Sequence, residues 1–210
     1  MYNRLNKDFF QRKTEQVAKE LLGKILVRKI DNEIISGMIV ETEAYVGPHD
    51  LASHASKGKT NRTATMFLDG GIWYVYLIYG SYHCLNIVTE EKDYPAAVLI
   101  RAVEPLEGIE EMKKFRKTEN LSNLTNGPGK LCQALGIDKS LNCTLATENN
   151  SKLYIENRKI IVPAREIKKS KRIGVDYAGI WKDKPLRFYI KNNTYVSKVS
   201  KKLYPFLFGN

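Results

Sequence analysis

Residues 39–54, Ile-Val-Glu-Thr-Glu-Ala-Tyr-Val-Gly-Pro-His-Asp-Leu-Ala-Ser-His, constrain the fold of this chain more than any other stretch. The stretch begins as an apolar β-strand and breaks into a loop at a Gly-Pro pair. Residues two apart in a strand face the same side, so Glu41, Glu43 and Tyr45 are expected on one face. Ile39 is expected on that face too. Two adjacent carboxylates repel each other, and the stretch alone is equally consistent with a solvated strand face and with an acidic site.

The remaining pattern is mostly that of short strands joined by tight turns, with a few helices. Strands are predicted over residues 24–30 and 34–42 as one hairpin, and over 72–78 and 82–89 as another. Helical spacing of apolar residues predicts helices over 14–22, 108–116 and 125–135. Further short strands are predicted in the last third of the chain, over 153–155, 159–162 and 186–190. At 210 residues, the chain is expected to form one domain spanning 1–210.

Polar residues interrupt two apolar strands, and one strand hairpin is unusually aromatic. Asn86 lies in Cys-Leu-Asn-Ile-Val and Arg101 in Ala-Val-Leu-Ile-Arg-Ala-Val. A guanidinium in such surroundings must be paired or solvated, and Glu41 or Glu43 is a natural partner, either in a structural ion pair or beside a reacting bond. Tyr79 precedes the glycine of the aromatic hairpin, where its ring would project at the tip and resemble the wedges that enter stacked bases.

The charge balance favours a polyanionic partner. Lys and Arg number 34 against 23 Asp and Glu, a formal net charge of +11. The long loop after the opening stretch contains Lys57, Lys59 and Arg62, and Lys130 lies at the glycine-rich start of a predicted helix. These cations suit phosphate groups, although the loop is equally consistent with a solvated flexible segment, and many helices begin in this way.

Three cysteines without metal-ligand or redox spacing indicate neither a disulfide framework nor a zinc site. No signal peptide and no apolar run of membrane-spanning length are recognised. We therefore expect a cytoplasmic protein that does not associate with a membrane. The features together favour an enzyme that extrudes a base from nucleic acid and cleaves at its sugar carbon, where a carboxylate stabilises positive charge and takes a proton from water.

Several motifs resemble those of the alkyladenine (3-methyladenine) DNA glycosylase family, in the same order along the chain. They are Val-Glu-Thr-Glu-Ala-Tyr-Val-Gly-Pro, Tyr-Val-Tyr-Leu-Ile-Tyr-Gly, Leu-Ile-Arg-Ala-Val-Glu-Pro-Leu-Glu-Gly, Gly-Pro-Gly-Lys-Leu-Cys-Gln-Ala-Leu-Gly, Arg-Ile-Gly-Val-Asp-Tyr-Ala-Gly and Lys-Pro-Leu-Arg-Phe-Tyr. The resemblance implies a compact mixed α/β (α+β) domain with a central, curved antiparallel sheet flanked by helices and no helix-hairpin-helix. It also implies a monomer that hydrolyses alkylated or deaminated purines from damaged double-stranded DNA, without metal or other cofactor.

The resemblance also assigns roles to individual positions. It implies that Glu43 activates water, with Arg101 and the backbone near Val175 around that water. It places Tyr45, His54 and Tyr76 around the extruded base and Asn86 at the floor of the pocket. It places Tyr79 in the gap that the base leaves in the duplex. Ser81 and Asp176 stand where some members carry Met and Gly, which leaves substrate range and minor-groove fit open.

Two other classes of protein are also consistent with the sequence. A metal-dependent hydrolase would use Glu43, His49, Asp50 and His54, which lack a recognised ligand spacing. A non-catalytic binder of damaged DNA would need the basic and aromatic residues but not the acid.

Overall fold

An antiparallel β-sheet runs through most of the chain in the computed structural model, which describes residues 2–78 and 80–197. Its strands are β1 (Asn3–Arg4), β2 (Ile25–Ile30), β3 (Glu33–Tyr45), β4 (Trp73–Ile78), β5 (Tyr82–Thr89), β6 (Ala96–Glu107), β7 (Leu153–Asn157), β8 (Ile167–Ser170) and β9 (Arg187–Ile190). The helices are α1 (Lys7–Phe10), α2 (Thr14–Glu20), α3 (Ile109–Arg116) and α4 (Pro128–Ala134). None of the helices in the described ranges is long and apolar enough to cross a membrane.

The strand order is β1-β7-β2-β3-β6-β5-β4, and β9 adds to β3 while β8 pairs with β9. Both predicted hairpins form, since β2 pairs with β3 and β4 with β5 in continuous antiparallel register. The sheet curls into a half-barrel, which confirms the expected mixed α/β fold with a curved antiparallel sheet. Tyr79, in the β4–β5 connection, lies outside the described residues.

The two faces of the sheet have different roles. Along β4, Trp73 and Val75 join the main apolar core with the buried faces of the helices, including Phe10 of α1 and Leu131 of α4. The alternate residue Tyr74 belongs to a second, smaller cluster on the other side of the sheet. This is the alternation of side chains expected along a strand. The helix-covered face therefore supplies most of the core, and the opposite face is left to form a cavity.

Strand β3 changes partners and register at the acidic stretch. Its pairing with β6 is irregular between Ile39 and Glu41 and again between Glu41 and Thr42, and Glu41 to Glu43 also pair with β9. Bulges of this kind redirect side chains. Thr42 faces α2, where its hydroxyl donates to the Ala18 carbonyl at 2.8 Å. Ile39 packs in the helix-side core, so the prediction that it shares a face with the two glutamates was wrong.

Two other elements differ from the sequence prediction. Residues 159–162 form no strand, and Ile161 is 86% exposed. A short strand for which there was no prediction, β8, forms instead in the lysine-rich stretch and pairs with β9. Charged residues are common on edge strands because they hinder pairing with other chains. The apolar content of residues 159–162 therefore predicted a strand where none forms.

Candidate active site

A cavity of about 900 Å³ opens on the face of the sheet away from the helices. Strands β3 to β6 supply its floor, the loop after β3 supplies one wall, and residues 173–177 supply another. The side chains that line it and that the sequence analysis singled out are Tyr45, His54, Lys57, Arg62, Tyr76, Asn86, Arg101 and Val175. The fold thus brings together residues that are up to 130 positions apart in the chain.

Glu43 lies directly behind the wall of this cavity and is fully buried. Its Oε1 accepts a hydrogen bond from the Ile173 backbone N–H at 2.8 Å, and its Oε2 accepts one from the Tyr45 hydroxyl at 3.0 Å. Arg101 Nη1 lies 3.3 Å from Oε1. All three groups belong to residues that line the cavity. The Glu43 carboxylate is thus fixed by two hydrogen-bond donors and a cation. Only the side chains that bind it separate it from the cavity.

Glu41 is also fully buried and shares Arg101 with Glu43. Its Oε1 accepts from Arg101 Nε at 3.1 Å and from Arg187 Nε at 2.6 Å, and its Oε2 accepts from the Ser197 N–H at 2.7 Å. Burial by itself raises the pKa of the Glu41 carboxyl, but Arg101, Arg187 and Ser197 outweigh burial and hold that pKa below its usual value. Glu41 is therefore an anion at neutral pH.

Tyr45 connects the acidic stretch to a second buried ion pair. The Arg172 guanidinium lies 4.7 Å from the centre of the Tyr45 ring. Burial, and then the charge of Glu43, raises the pKa of Tyr45 well above its usual value, so its hydroxyl keeps its proton. Arg172 also binds Asp50 at two points, 2.5 and 2.8 Å, with both side chains fully buried.

Asp50 is thereby committed to holding the loop after β3. Besides Arg172, its oxygens accept from the Val46 N–H at 3.2 Å and the Ala52 N–H at 3.0 Å. His49 is exposed next to it. Within residues 2–78 and 80–197, no group of three or more His, Cys, Asp or Glu side chains is arranged to hold a metal ion. The geometry of Asp50 therefore favours a structural role over that of a metal ligand.

Aromatic rings form one side of the cavity. The rings of His54 and Tyr76 lie 4.5 Å apart, and those of Tyr74 and Tyr76 lie 5.1 Å apart. His54 Nδ1 is 3.1 Å from the Tyr74 hydroxyl. Burial, and then the charge of Arg62, lowers the pKa of His54 to about 4, while burial raises the pKa of Tyr74 to about 12. Burial also raises the pKa of Tyr76, so this wall is uncharged at neutral pH.

Asn86 and Val175 lie at other points of the cavity surface. Asn86 is buried on β5 and its Nδ2 donates to the Tyr74 carbonyl at 3.2 Å. Val175 is buried in the segment that also contains Ile173. The backbone group in contact with Glu43 is the N–H of Ile173, two residues before the position that the resemblance indicated.

The four cations expected at DNA phosphates lie in two places. Lys57, Lys59 and Arg62 are exposed on the loop beside the cavity, and the Arg62 guanidinium lies 5.3 Å from the centre of the Tyr76 ring. Lys130 is half-buried instead, and its Nζ donates to the side-chain oxygens of Asn123 and, at 2.9 Å, of Asn126. Burial lowers the pKa of Lys130. The loop cations are the more accessible set.

Ser81 and Asp176, the two departures noted in the sequence, are both exposed. Ser81 lies in the turn that begins β5, where its N–H donates to the Ile78 carbonyl at 3.2 Å. Asp176 directly follows Val175, which lines the cavity.

Several residues of the site were missed or misassigned by the sequence analysis. Tyr74 was given no role, although it lies two residues from Tyr76 in the same strand and lines the cavity with it. Ile173 acts through its backbone, and Arg172 follows the basic residues 168–171, so neither was given a role although both lie in one of the family motifs. Arg187 likewise gave no local indication of its bond to Glu41.

An antiparallel sheet that holds a buried acid behind a cavity with an uncharged aromatic wall fits the class of enzymes that hydrolyse a bond to a planar base. Comparison with known proteins makes this more specific. A family model described as Methylpurine-DNA glycosylase (MPG) matches residues 8–194. The chain therefore belongs to the methylpurine-DNA glycosylase family.

Curated relatives cover almost the whole chain. One from Clostridium perfringens (strain 13 / Type A), named "Putative 3-methyladenine DNA glycosylase", is 54% identical over 204 residues, which cover 93% of this chain and 99% of the relative. Relatives of the same name are 50% identical in Clostridium botulinum (strain Alaska E43 / Type E3) and 49% identical in Methanocella arvoryzae. These two alignments each cover 92% of this chain, and 98% and 96% of the respective relative.

Proposed function

We propose that this protein is a DNA-3-methyladenine glycosylase that removes damaged purines from double-stranded DNA and leaves an abasic site, the first step of base excision repair. Family membership supports the reaction class. The observation that carries the proposal for this chain is the buried Glu43 carboxylate, fixed by Tyr45, Ile173 and Arg101 behind a cavity walled by aromatic rings.

The proposed step is a hydrolysis at the sugar. Departure of the damaged purine takes the electron pair of its N-glycosidic bond, and the C1′ centre acquires positive charge. Glu43 stabilises that charge and accepts one proton from a water molecule whose oxygen forms the new bond to C1′. The products are the free base and an abasic sugar. Alkylation makes the base a better leaving group, so one carboxylate suffices.

Glu43 has no exposed surface, so the reaction requires the cavity wall to open locally. The Tyr45 hydroxyl covers Oε2 at 3.0 Å. When a base enters and Tyr45 packs against it, rotation of this ring would uncover Oε2 for water. Arg101 and the Ile173 N–H remain on Oε1 and keep the carboxylate in place during this movement.

Recognition of the extruded base is assigned to the uncharged wall. His54, Tyr45 and Tyr76 offer rings for stacking, and Asn86 offers an amide at the cavity surface. Tyr79 is proposed to fill the gap in the duplex, while Lys57, Lys59, Arg62 and Lys130 are proposed to contact phosphates. Alkylated and deaminated purines are both candidate substrates.

The direct experiment uses duplexes that each carry one of four bases: 3-methyladenine, 7-methylguanine, hypoxanthine or ethenoadenine. We expect the protein to release at least one of the methylated purines as free base and to leave alkali-labile abasic sites, with the same rate in the presence of EDTA. Failure to release any of the four bases would refute the proposal. Loss of release in EDTA would favour a metal-dependent hydrolase instead.

A further inference from the structure

Glu41 is a second buried acid that the proposed reaction does not use directly. It is fully buried, ionised, and bonded to Arg101, Arg187 and the Ser197 N–H. Burying an anion in this way costs free energy unless every partner is retained. We therefore expect a buried anion next to the reacting carboxylate to have a function beyond packing.

The division of Arg101 between the two acids suggests that function. Arg101 directs Nε to Glu41 Oε1 at 3.1 Å and Nη1 to Glu43 Oε1 at 3.3 Å, so one guanidinium lies between two buried carboxylates. A guanidinium that faces a single carboxylate can bind it at two points, as Arg172 binds Asp50 at 2.5 and 2.8 Å. Arg172 thus directs Nη1 and Nη2 to one carboxylate, whereas Arg101 divides Nε and Nη1 between Glu41 and Glu43.

The other charged and titratable groups around Glu43 come from several elements. Arg187 on β9 pairs with Glu43 in the strand register, but its guanidinium binds Glu41, Ser170 Oγ and the Ser197 carbonyl. Arg172 binds Asp50 and the Ala44 carbonyl. Burial raises the pKa of three uncharged neighbours, namely Tyr45, Cys84 and Tyr177. Among the site residues that the structure describes, three arginines thus lie beside three carboxylates, namely Arg101, Arg172 and Arg187 beside Glu41, Glu43 and Asp50.

We propose that Glu41 is a positioning residue that binds Arg101 by Nε and offsets Arg187, so that Glu43 is oriented by a cation whose charge it shares with a second anion. This inference rests on the proposed role of Glu43 as the group that takes a proton from water. A carboxylate that has a cation to itself is a weaker base than one that shares the cation with another anion, because its negative charge is more fully stabilised. Glu41 thereby preserves the basicity of its neighbour.

The test is the pH profile of single-turnover base release from the panel duplex that the wild type cleaves fastest. In Glu41→Gln, the cations around Glu43 lose one counter-charge, so the acid limb is expected to move to lower pH by roughly one unit and the plateau rate to fall roughly tenfold. In Arg187→Gln, a cation is removed instead, and the acid limb is expected to move to higher pH. His54, whose pKa is about 4, is retained in both variants and in the wild type.

Glu107→Gln is the matched control, because Glu107 is an arginine-bound carboxylate of the same sheet, 3.2 Å from Arg158, and is not among the residues that line the cavity. Its acid limb is expected to coincide with that of the wild type. A merely structural role for Glu41 would reduce the rate at every pH and leave the acid limb unmoved in both test variants, which would overturn the inference. Circular dichroism and thermal melting establish that each variant is folded.

The opposite direction of the two shifts keeps the inference testable if one variant fails to fold, since either direction alone decides. Should both fail, Glu41→Asp, which retains the charge, is expected to keep the wild-type acid limb, and a displaced limb would contradict the inference. If Glu43→Gln still releases base, the proposed function of Glu43 fails. If Glu43→Gln is inactive while the acid limbs of the other variants stay fixed, only the inference about Glu41 fails.

Discussion

At the scale of single residues, the site depends on which side chains are kept charged and which are kept neutral. Glu41 is held as an anion by two arginines, whereas burial keeps Tyr45, Tyr76 and His54 uncharged at neutral pH. A neutral aromatic wall suits stacking against a purine, because an imidazolium there would repel a cationic alkylated base. The surroundings of each residue thus keep the buried charges separate from the uncharged aromatic surface.

His54 leads to a prediction about stability and pH. Its pKa is about 4 in the folded protein and near 6.5 when unfolded, so only the unfolded chain gains a proton between these values. Stability is therefore fully present above pH 6.5 and declines as the pH falls to 4, by up to about 3 kcal/mol. Denaturant unfolding of the wild type and of His54→Gln from pH 8 to 4 measures this. The variant is expected to show a shallower decline over that interval, and equal declines would contradict the burial of a neutral imidazole.

At the scale of elements, β3 and the segments on either side of it depend on one internal ion pair. Arg172 and Asp50 link the end of β3, through the Ala44 carbonyl, to the loop that contains His54 and to the segment that contains Ile173. The floor and two walls of the cavity therefore meet at one buried ion pair. Loss of either partner would leave the other charge buried without compensation.

Asp50→Asn is expected to reduce the free energy of unfolding by about 3 kcal/mol, because it leaves Arg172 without its counter-ion. The control is Glu111→Gln, since Glu111 and Lys114 form a more exposed pair on α3, for which the expected change is below about 1 kcal/mol. Urea denaturation monitored by tryptophan fluorescence compares the two. Equal, small changes would show that the Arg172 pair does not hold these segments together.

The elements also show what the sequence could and could not predict. Alternation of apolar residues was sufficient for the two hairpins, and it predicted that Glu41, Glu43 and Tyr45 share one face of β3. It failed for Ile39, because the irregular pairing around Glu41 depends on how β3 meets both β6 and β9. The contacts of Arg172, Ile173 and Arg187 depend on tertiary packing, which no local pattern records. Similarity to a family supplied the remaining roles.

At the scale of the whole molecule, the formal net charge of +11 complements the phosphate backbone of DNA. The exposed loop cations Lys57, Lys59 and Arg62 lie beside the cavity, where a duplex would have to approach for a base to enter. We therefore attribute to this loop a specific share of the electrostatic binding, beyond the general attraction of a basic protein.

Replacement of all three loop cations by Gln is expected to reduce the slope of log affinity against log salt concentration by about 2 to 3, since each lost phosphate contact removes about 0.9 from it. The control replaces Lys168, Lys169 and Lys171, which are exposed and lie on or next to β8. Fluorescence anisotropy with a labelled duplex at several salt concentrations measures both slopes. The loop has no special role if both triple variants change the slope equally.

Base release by Glu43→Gln tests the central claim most directly. The substitution preserves the size of the side chain and one acceptor oxygen for the Ile173 N–H, and its amide nitrogen can donate to the Tyr45 oxygen, but it removes the charge that takes a proton from water. We predict that release from the best damaged duplex falls at least about a thousandfold, in the range typical of removing a general base, while affinity for that duplex stays within about threefold of the wild type. Release at a rate close to that of the wild type would contradict the account.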